Sequence, residues 1–314
     1  MGEIAALISA ISWACTSVVL TSLSGRTPPV VISALRLSSA TLVLPFILLA
    51  SGQAHELGEA SALTLFSIAG SGLLGYGLGD TMYIRVLSLI GLQRAFPISS
   101  GLFISLTVAG GILVLGEDFT WGLPAGAVLI AAGVYLIVIP GRAGPPQPVA
   151  VVAVAEPALA SFEELPTPAP VGQPWLAYVL LLGVGFAWAG ATVWLAGGRG
   201  DLHAVSTSAV RAPAGAFGLL LFGLTTQPAA MAAPFRSRRN IGFIVLAGLL
   251  GTAFGSLMYV YAVETAGAAR TAVLNATAPL MGMPLSILFL GERFTRRIAL
   301  GTALCVGGIG LVVS

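Results

Sequence analysis

The chain contains two copies of one pattern, and each copy carries an odd number of membrane-length apolar segments. Matching strings lie 175 or 176 positions apart: Trp13-Ala14 with Trp188-Ala189, Gly72-Leu73-Leu74-Gly75 with Gly248-Leu249-Leu250-Gly251, and Met82-Tyr83 with Met258-Tyr259. After an odd number of crossings the chain is on the other side of the bilayer, so the second copy starts upside down. Many secondary transporters use such inverted repeats to build two gates around one central site.

The composition identifies lipid as the main solvent of the fold. Apolar residues make up 57% of the chain, charged residues only 8%, and the mean hydropathy is +0.98. A soluble domain carries about 25% charged residues. This chain has too few to cover the surface of a water-soluble fold. The 40 glycines suit helices that pack closely inside a membrane. The net charge of +2 is too small to indicate nucleic acid as a partner.

Ten apolar segments are long enough to cross a hydrocarbon core of about 30 Å. They cover 3–23, 30–50, 62–86, 92–115, 121–140, 175–196, 203–226, 241–264, 270–290 and 297–314. The predicted fold class is therefore an all-α integral membrane protein, with ten transmembrane helices in two inverted five-helix repeats. The repeats cover 1–140 and 175–314. Residues 141–174 form a Pro/Ala-rich linker that we expect to be mobile.

Ionisable residues inside a bilayer cost several kcal/mol and therefore require a reason. Asp80, Arg85 and Glu264 are the candidates for coupling or ion pairing. In one interpretation, Asp80 and Glu264 bind protons or substrate in a wet cavity. In the other, each is paired for structural reasons, Asp80 with Arg85 or Arg94 and Glu264 with Arg270.

Four further charged residues occur at matching positions in the two copies and indicate a shared structural motif. Arg36 and Arg211 lie in the first turns of the second and seventh predicted segments. We expect them to extend to the membrane interface or to cap a neighbouring helix. Glu117 and Glu292 follow a glycine at a segment end, where a carboxylate can accept backbone N–H groups from the start of the next helix.

Aromatic and amide side chains deep in the segments are candidates for lining a substrate cavity. They are Trp13, Tyr83, Trp188, Tyr259 and Asn275. Flat rings with a polar edge suit organic ligands, although ordinary core packing is the alternative for each of them. We expect the cavity between the repeats, lined by segments 1, 3, 4, 6, 8 and 9, with segments 5 and 10 outside it.

Motifs for catalysis, metal ligation or cofactor binding are not evident, so we predict no enzyme, no metal site and no cofactor. Gly77-Leu78-Gly79-Asp80 matches the GxGD string of intramembrane aspartyl proteases. That chemistry needs a second carboxylate facing the first. The other aspartates, Asp118 and Asp201, fall in predicted loops.

The repeated motifs resemble the ten-helix EamA-type members of the drug/metabolite transporter superfamily. The similar strings are Trp13-Ala14 and Trp188-Ala189, Leu35-Arg36 and Val210-Arg211, and Leu115-Gly116-Glu117-Asp118-Phe119-Thr120 with Leu290-Gly291-Glu292-Arg293-Phe294-Thr295. The resemblance implies a multi-pass transporter of the prokaryotic cell membrane that moves small metabolites such as amino acids by alternating access. Four-helix relatives use a first-helix glutamate, whereas Glu3 of this chain is at the terminus.

The implied partners are a small-molecule substrate and the lipid bilayer, with a homodimer as a further possibility. The alternative function is a non-transporting membrane scaffold or sensor. A channel is disfavoured, because its rings of repeated charge are missing from the sequence.

The arginines give one indication of orientation and the resemblance gives another. Alternate loops hold nine arginines on one side and two on the other. The positive-inside rule then places both termini outside the cytoplasm. The resemblance implies the reverse.

Overall fold

The computed structural model describes residues 1–24, 26–138, 174–278 and 296–313, and every regular element in these ranges is a helix. The first copy contains α1 (Gly2–Leu23), α2 (Pro29–Ser51), α3 (Ala54–Glu59), α4 (Ala62–Gly72), π1 (Leu73–Gly79), α5 (Asp80–Ile90), α6 (Leu92–Leu115) and α7 (Gly122–Val138). The second contains α8 (Pro174–Gly198), α9 (Ala204–Thr226), α10 (Pro228–Ala232), a 3₁₀ turn (Ala233–Arg236), α11 (Arg238–Ala247), π2 (Gly248–Gly255), α12 (Ser256–Ala266), α13 (Ala268–Asn275) and α14 (Arg296–Val313).

Seven helical spans in the described residues are long and apolar enough to cross a membrane. Shorter apolar helices cover Gly122–Gly133 and Leu300–Val312. The all-α membrane class predicted from the sequence agrees with these spans. The predicted linker at 141–174 lies outside the described residues except for its last position, and most of the ninth predicted segment also lies outside them.

The third long helix of the first copy consists of α4, π1 and α5, and that of the second copy consists of α11, π2 and α12. The two begin and end in the same way. Ser61 caps α4 by accepting the amide of Thr64 at 3.1 Å, and Ser237 caps α11 by accepting the amide of Asn240 at 3.3 Å. The far ends turn at Gly91 and Gly267, with φ of 73° and 84°. A glycine tolerates this left-handed backbone without strain, which allows the next helix to start at once.

Both third helices pass through a π-helical stretch in mid-course, a feature that the sequence analysis did not predict. π1 and π2 each contain part of a glycine row. Each row faces the other copy so closely that an added Cβ would overlap a neighbour. The crossings are Gly72 on Arg211, Gly75 on Ala191, Gly79 on Trp188, Gly248 on Arg36, Gly251 on Thr16 and Gly255 on Ser12. Small residues thus let the two copies interlock.

The last helices of the two copies, α7 and α14, pack against each other. Gly133 lies against the carbonyl of Gly301, and Gly308 lies against the carbonyl of Gly126. Midway between these crossings, the Cys305 thiol contacts the Ile130 carbonyl at 3.7 Å. Residue numbers rise along one helix as they fall along the other, so the pair is antiparallel.

Candidate functional site

A cavity lies between the two copies and is lined by residues of both. Hydroxyl, aromatic and charged side chains form much of its wall. Its lining residues are Trp13, Ser17, Gly75, Tyr76, Asp80, Tyr83, Ser99, Ser100, Phe103, Trp188, Thr192, Arg211, Ser256, Tyr259, Asn275, Ala276 and Ala278. All five residues predicted from the sequence as cavity candidates are among them, so the fold brings them together.

Trp188 is the centre of the aromatic wall. Its ring centroid lies 5.0 Å from that of Tyr83, 6.2 Å from that of Phe103 and 6.4 Å from that of Trp13. The Phe103 contact is edge-to-face, a favourable geometry for aromatic pairs. Residues from both copies therefore build one apolar wall with polar edges.

Asp80 forms a buried ion pair with Arg36 of α2, through Oδ2 and Nη2. Its second oxygen accepts the indole N–H of Trp188 at 2.8 Å. The expected pairing of Asp80 with Arg85 or Arg94 is therefore wrong. Arg85 is exposed, because its position turns away from the cavity side of α5, and the Arg94 side chain lies outside the described residues.

The expectation that Arg36 and Arg211 extend to the interface is also wrong. Arg36 is fully buried and Arg211 is 3% exposed. Both arginines point inward because α2 and α9 lie directly beneath the glycine rows of the other copy. Arg36 lies 5.7 Å from the centroid of the Trp13 ring, and Arg211 lies 4.4 Å from that of Tyr76.

Arg211 reaches the cavity wall, where one of its nitrogens has a hydrogen-bond partner and another has none among the described residues. Nη1 donates to the Tyr76 hydroxyl at 3.1 Å. Nε is buried and makes no hydrogen bond to any described residue. Arg211 also forms no ion pair within the described part of the chain. The site thus contains a cation whose guanidinium can accept a further partner.

Polar side chains complete the cavity on the side of the second copy. The Thr192 and Tyr259 hydroxyls lie 2.8 Å apart, and both residues line the cavity. Asn275 donates to the Ser9 hydroxyl at 2.9 Å and to the Ala6 carbonyl at 3.4 Å. Asn275 therefore joins α13 to α1 while it also lines the cavity.

Glu264 caps a helix at the edge of the bundle. Its carboxylate accepts the Ala204 amide at 2.9 Å, at the start of α9, and lies 3.9 Å from Arg199. The predicted pairing with Arg270 is wrong, because Arg270 lies 3.5 Å from Glu3 instead. The contact with α9 could not be inferred from sequence spacing.

Glu117 also caps a helix. The sequence predicted that this would be the next helix in the chain, and that prediction is wrong. The two Glu117 oxygens accept the amides of Ala268 at 2.6 Å and Ala269 at 3.0 Å, at the start of α13 in the other copy. A carboxylate at a helix N-terminus is stabilised by the unpaired N–H groups and the helix dipole. The matching Glu292 lies outside the described residues.

Tyr76 was not predicted from the sequence as a site residue, and Arg211 was not predicted to line the cavity. The seventh predicted segment was not expected in the cavity wall either, but Arg211 lies in that segment and lines the cavity. No residue of α7 or of the described α14 lines the cavity. The available signal was the glycine row before Asp80, which places Tyr76 on a helix that contacts the other copy.

Comparisons with known proteins agree with this arrangement. The sequence pattern of the EamA-like transporter family matches residues 1–139 and 175–314. A crystal structure of another protein has a TM-score of 0.71 at 17% identity, covering 99% of this chain and 95% of the other. That likeness extends to the fold alone, and no curated protein was found to match the sequence. Because the family pattern spans both copies, the chain belongs to the EamA-like transporter family.

Proposed function

We propose that this membrane protein is a secondary transporter that moves a small organic metabolite across the prokaryotic cell membrane by alternating access. The observation that carries the proposal is the cavity between the two copies, lined by residues of both. A site shared by two similar halves can be exposed to one side or the other when the halves rock against each other.

The proposed architecture is ten transmembrane helices in two inverted five-helix repeats. The contacts between the copies support a two-fold relation, because they are reciprocal. Ser12, Thr16 and Arg36 contact the second glycine row, and the positions 175 residues later, Ala187, Ala191 and Arg211, contact the first. The equivalent helices α7 and α14 are antiparallel, which supports a two-fold axis perpendicular to them and within the membrane plane.

The π-helical stretches are the proposed moving elements of the gates. π-Helical turns in α-helices frequently occur at functional sites. Gly75 and Tyr76 of π1 line the cavity, and Ser256 follows π2 directly. A change of helical pitch at these stretches would shift cavity residues while the capped ends of the helices stay in place.

The alternative of a non-transporting scaffold or sensor does not account for the cavity. A scaffold of this kind is expected to have a filled interior with its charges paired. Here a buried arginine lines an open volume, and it has no acidic partner among the described residues. Homodimerisation stays a prediction from the sequence.

Labelling from each side of the membrane tests alternating access without knowledge of the substrate. The protein carries two free cysteines, Cys15 and Cys305, which are first replaced by Ser and Ala. Ser100→Cys then places one thiol in the cavity wall. A charged maleimide applied to right-side-out and to inside-out vesicles is expected to label it in both, because a thiolate forms only where water enters.

Leu42→Cys is the matched control, since Leu42 is an exposed apolar residue near the middle of the span α2. We expect little labelling there from either side. Labelling of Ser100→Cys from only one side, under every condition, would overturn alternating access.

A further inference from the structure

We infer that Arg211 binds the carboxylate of the substrate, and that the substrate is an organic monoanion rather than a zwitterion. This inference rests on the proposed transport function and specifies the chemistry of the same cavity. It also narrows the expectation of an amino-acid-like substrate. Three observations carry it: the balance of charge at the cavity, the position of the Arg211 guanidinium with its unpartnered Nε, and the occupied oxygens of Asp80.

Among the described residues, the charges at the cavity sum to one positive charge. Asp80 and Arg211 line the cavity, and Arg36 lies buried behind Asp80. Arg36 and Asp80 neutralise each other, so the charge of Arg211 stays uncompensated within the described residues. Of the residues between α13 and α14 that are not described, Glu292 is the only acidic one. A buried cation without a partner is costly, and a bound anion would remove that cost.

The geometry of Arg211 suits a planar oxyanion. Its guanidinium lies over the Tyr76 ring, and one nitrogen donates to the Tyr76 hydroxyl. The Tyr76 ring supports one face of the guanidinium, and Nε has no hydrogen-bond partner among the described residues. A guanidinium fork binds carboxylates and phosphates with paired hydrogen bonds. A single net positive charge matches a carboxylate better than a doubly charged phosphate.

A zwitterion would also need an acceptor for its ammonium group. Asp80 is the only carboxylate in the described cavity wall, and both of its oxygens are engaged, one by Arg36 and one by Trp188. The aromatic wall around Trp188 instead offers apolar surface for the body of a ligand. The expected ligand therefore has an apolar or aromatic body and one carboxylate.

The chain offers an internal way to test the charge of Arg211. Ser256 occupies the position in the second copy that Asp80 occupies in the first, 176 residues earlier. It lines the same cavity and is 3% exposed. Ser256→Asp would supply the carboxylate that Arg211 lacks, so the variant should fold yet lose anion binding. The neutral isostere Ser256→Asn should lose less.

The probes are four small molecules with related aromatic bodies. They are 3-phenylpropionate, its uncharged amide, phenylalanine as the zwitterion, and phenyl phosphate. A ligand that binds the folded state raises the melting temperature, and at one ligand concentration the stabilisation grows with the logarithm of the affinity. We expect 3-phenylpropionate to stabilise purified wild-type protein and to bind at least about tenfold more tightly than the amide or phenylalanine, as for a charged hydrogen-bond pair.

Arg211→Gln and Ser256→Asp are each expected to weaken 3-phenylpropionate binding by at least about tenfold. Arg85→Gln is the matched control, because it removes an exposed arginine outside the cavity. Unchanged binding in Arg85→Gln with loss in both cavity variants supports the inference. A folded Ser256→Asp that binds 3-phenylpropionate like the wild type overturns it.

Three further outcomes would overturn the inference: equal stabilisation by the amide, no stabilisation by any anion, or tighter binding of phenyl phosphate. The last would keep an anion site but reject the carboxylate. Because the cysteine labelling needs no ligand, alternating labelling without anion binding would overturn only this inference. Labelling from one side alone would instead overturn the proposed function.

Discussion

Arg36 and Arg211 occupy matching positions in the two copies, but their surroundings differ. Both are buried beneath a glycine row of the other copy, and both lie over an aromatic ring. Arg36 is neutralised by Asp80, whereas Arg211 hydrogen-bonds to the Tyr76 hydroxyl and has no acidic partner among the described residues. The reason lies in the third helices: Asp80 and Tyr76 of the first copy correspond to Ser256 and Thr252 of the second.

This difference distinguishes the residues that determine helix packing from those that determine the chemistry of the cavity. The glycine crossings and the serine caps are shared by the two copies, and they fix how the helices pack. Asp80 and Tyr76 are not shared, and the exchange of Asp80 for Ser256 leaves the charge of Arg211 uncompensated among the described residues. A duplicated fold can thus keep symmetric packing, which allows equivalent motions, while its binding site recognises an asymmetric ligand.

The largest change in the free energy of unfolding is expected when Asp80 loses its ion-pair partner Arg36. Arg36→Gln leaves the Asp80 carboxylate buried without its cation, which costs about 3–5 kcal/mol of unfolding free energy. Denaturant titration in detergent measures the loss, with Arg85→Gln as an exposed control. The double variant Arg36→Gln, Asp80→Asn should lose less than the sum of the single variants. A loss below about 1 kcal/mol in Arg36→Gln would contradict the importance of the pair.

A smaller change, here an increase in the free energy of unfolding, is expected when Arg211 is given an acidic partner. Ser256→Asp should raise the unfolding free energy by about 1.5–3 kcal/mol, the range for hydrogen bonds to charged groups. Ser256→Asn adds similar volume without charge and should give no such gain. If Ser256→Asp is less stable than Ser256→Asn, Arg211 already has a partner and the contrast between the two arginines fails.

The shared framework predicts equal losses at Gly72 and Gly248. A Cβ at either position would overlap the backbone carbonyl of an arginine, Arg211 or Arg36. Overpacking of this kind costs about 1–3 kcal/mol. Gly77→Ala is the control, since its Cβ would meet open space. Thermal unfolding of the three variants gives the comparison, and a large inequality between Gly72→Ala and Gly248→Ala would show that the crossings are not equivalent.

The smallest change in the free energy of unfolding is expected on removal of the Tyr76 hydroxyl beside Arg211. Tyr76→Phe keeps the ring beneath the guanidinium and removes one hydrogen bond at 3.1 Å. Hydrogen bonds inside membrane proteins average about 0.6 kcal/mol, so the unfolding free energy should change little. Affinity for 3-phenylpropionate should be largely retained, because the charge stays. A loss as large as that of Arg211→Gln would assign the binding to the phenol instead.

Much of the site was predictable as a set of residues but not as a set of contacts. The depth of Trp13, Trp188 and Asn275 in apolar segments indicated a cavity, and all three line it. The partners of Asp80 and Glu264 were predicted from short sequence separations. Their real partners, Arg36 and the start of α9, lie 44 and 60 residues away. Spacing along one helix does not say which helix lies opposite.

The sequence by itself determined the lipid environment, the helical class, the family and the internal duplication. Each follows from local composition or from repetition at a fixed offset, which need no knowledge of packing. The tertiary structure alone decided that Arg36 is neutralised and that Arg211 lines the cavity. Burial and pairing of a charge depend on which helices cross, and the crossings are set by glycine rows that contact the other copy more than a hundred residues away. The same long-range packing carries Glu117 to α13.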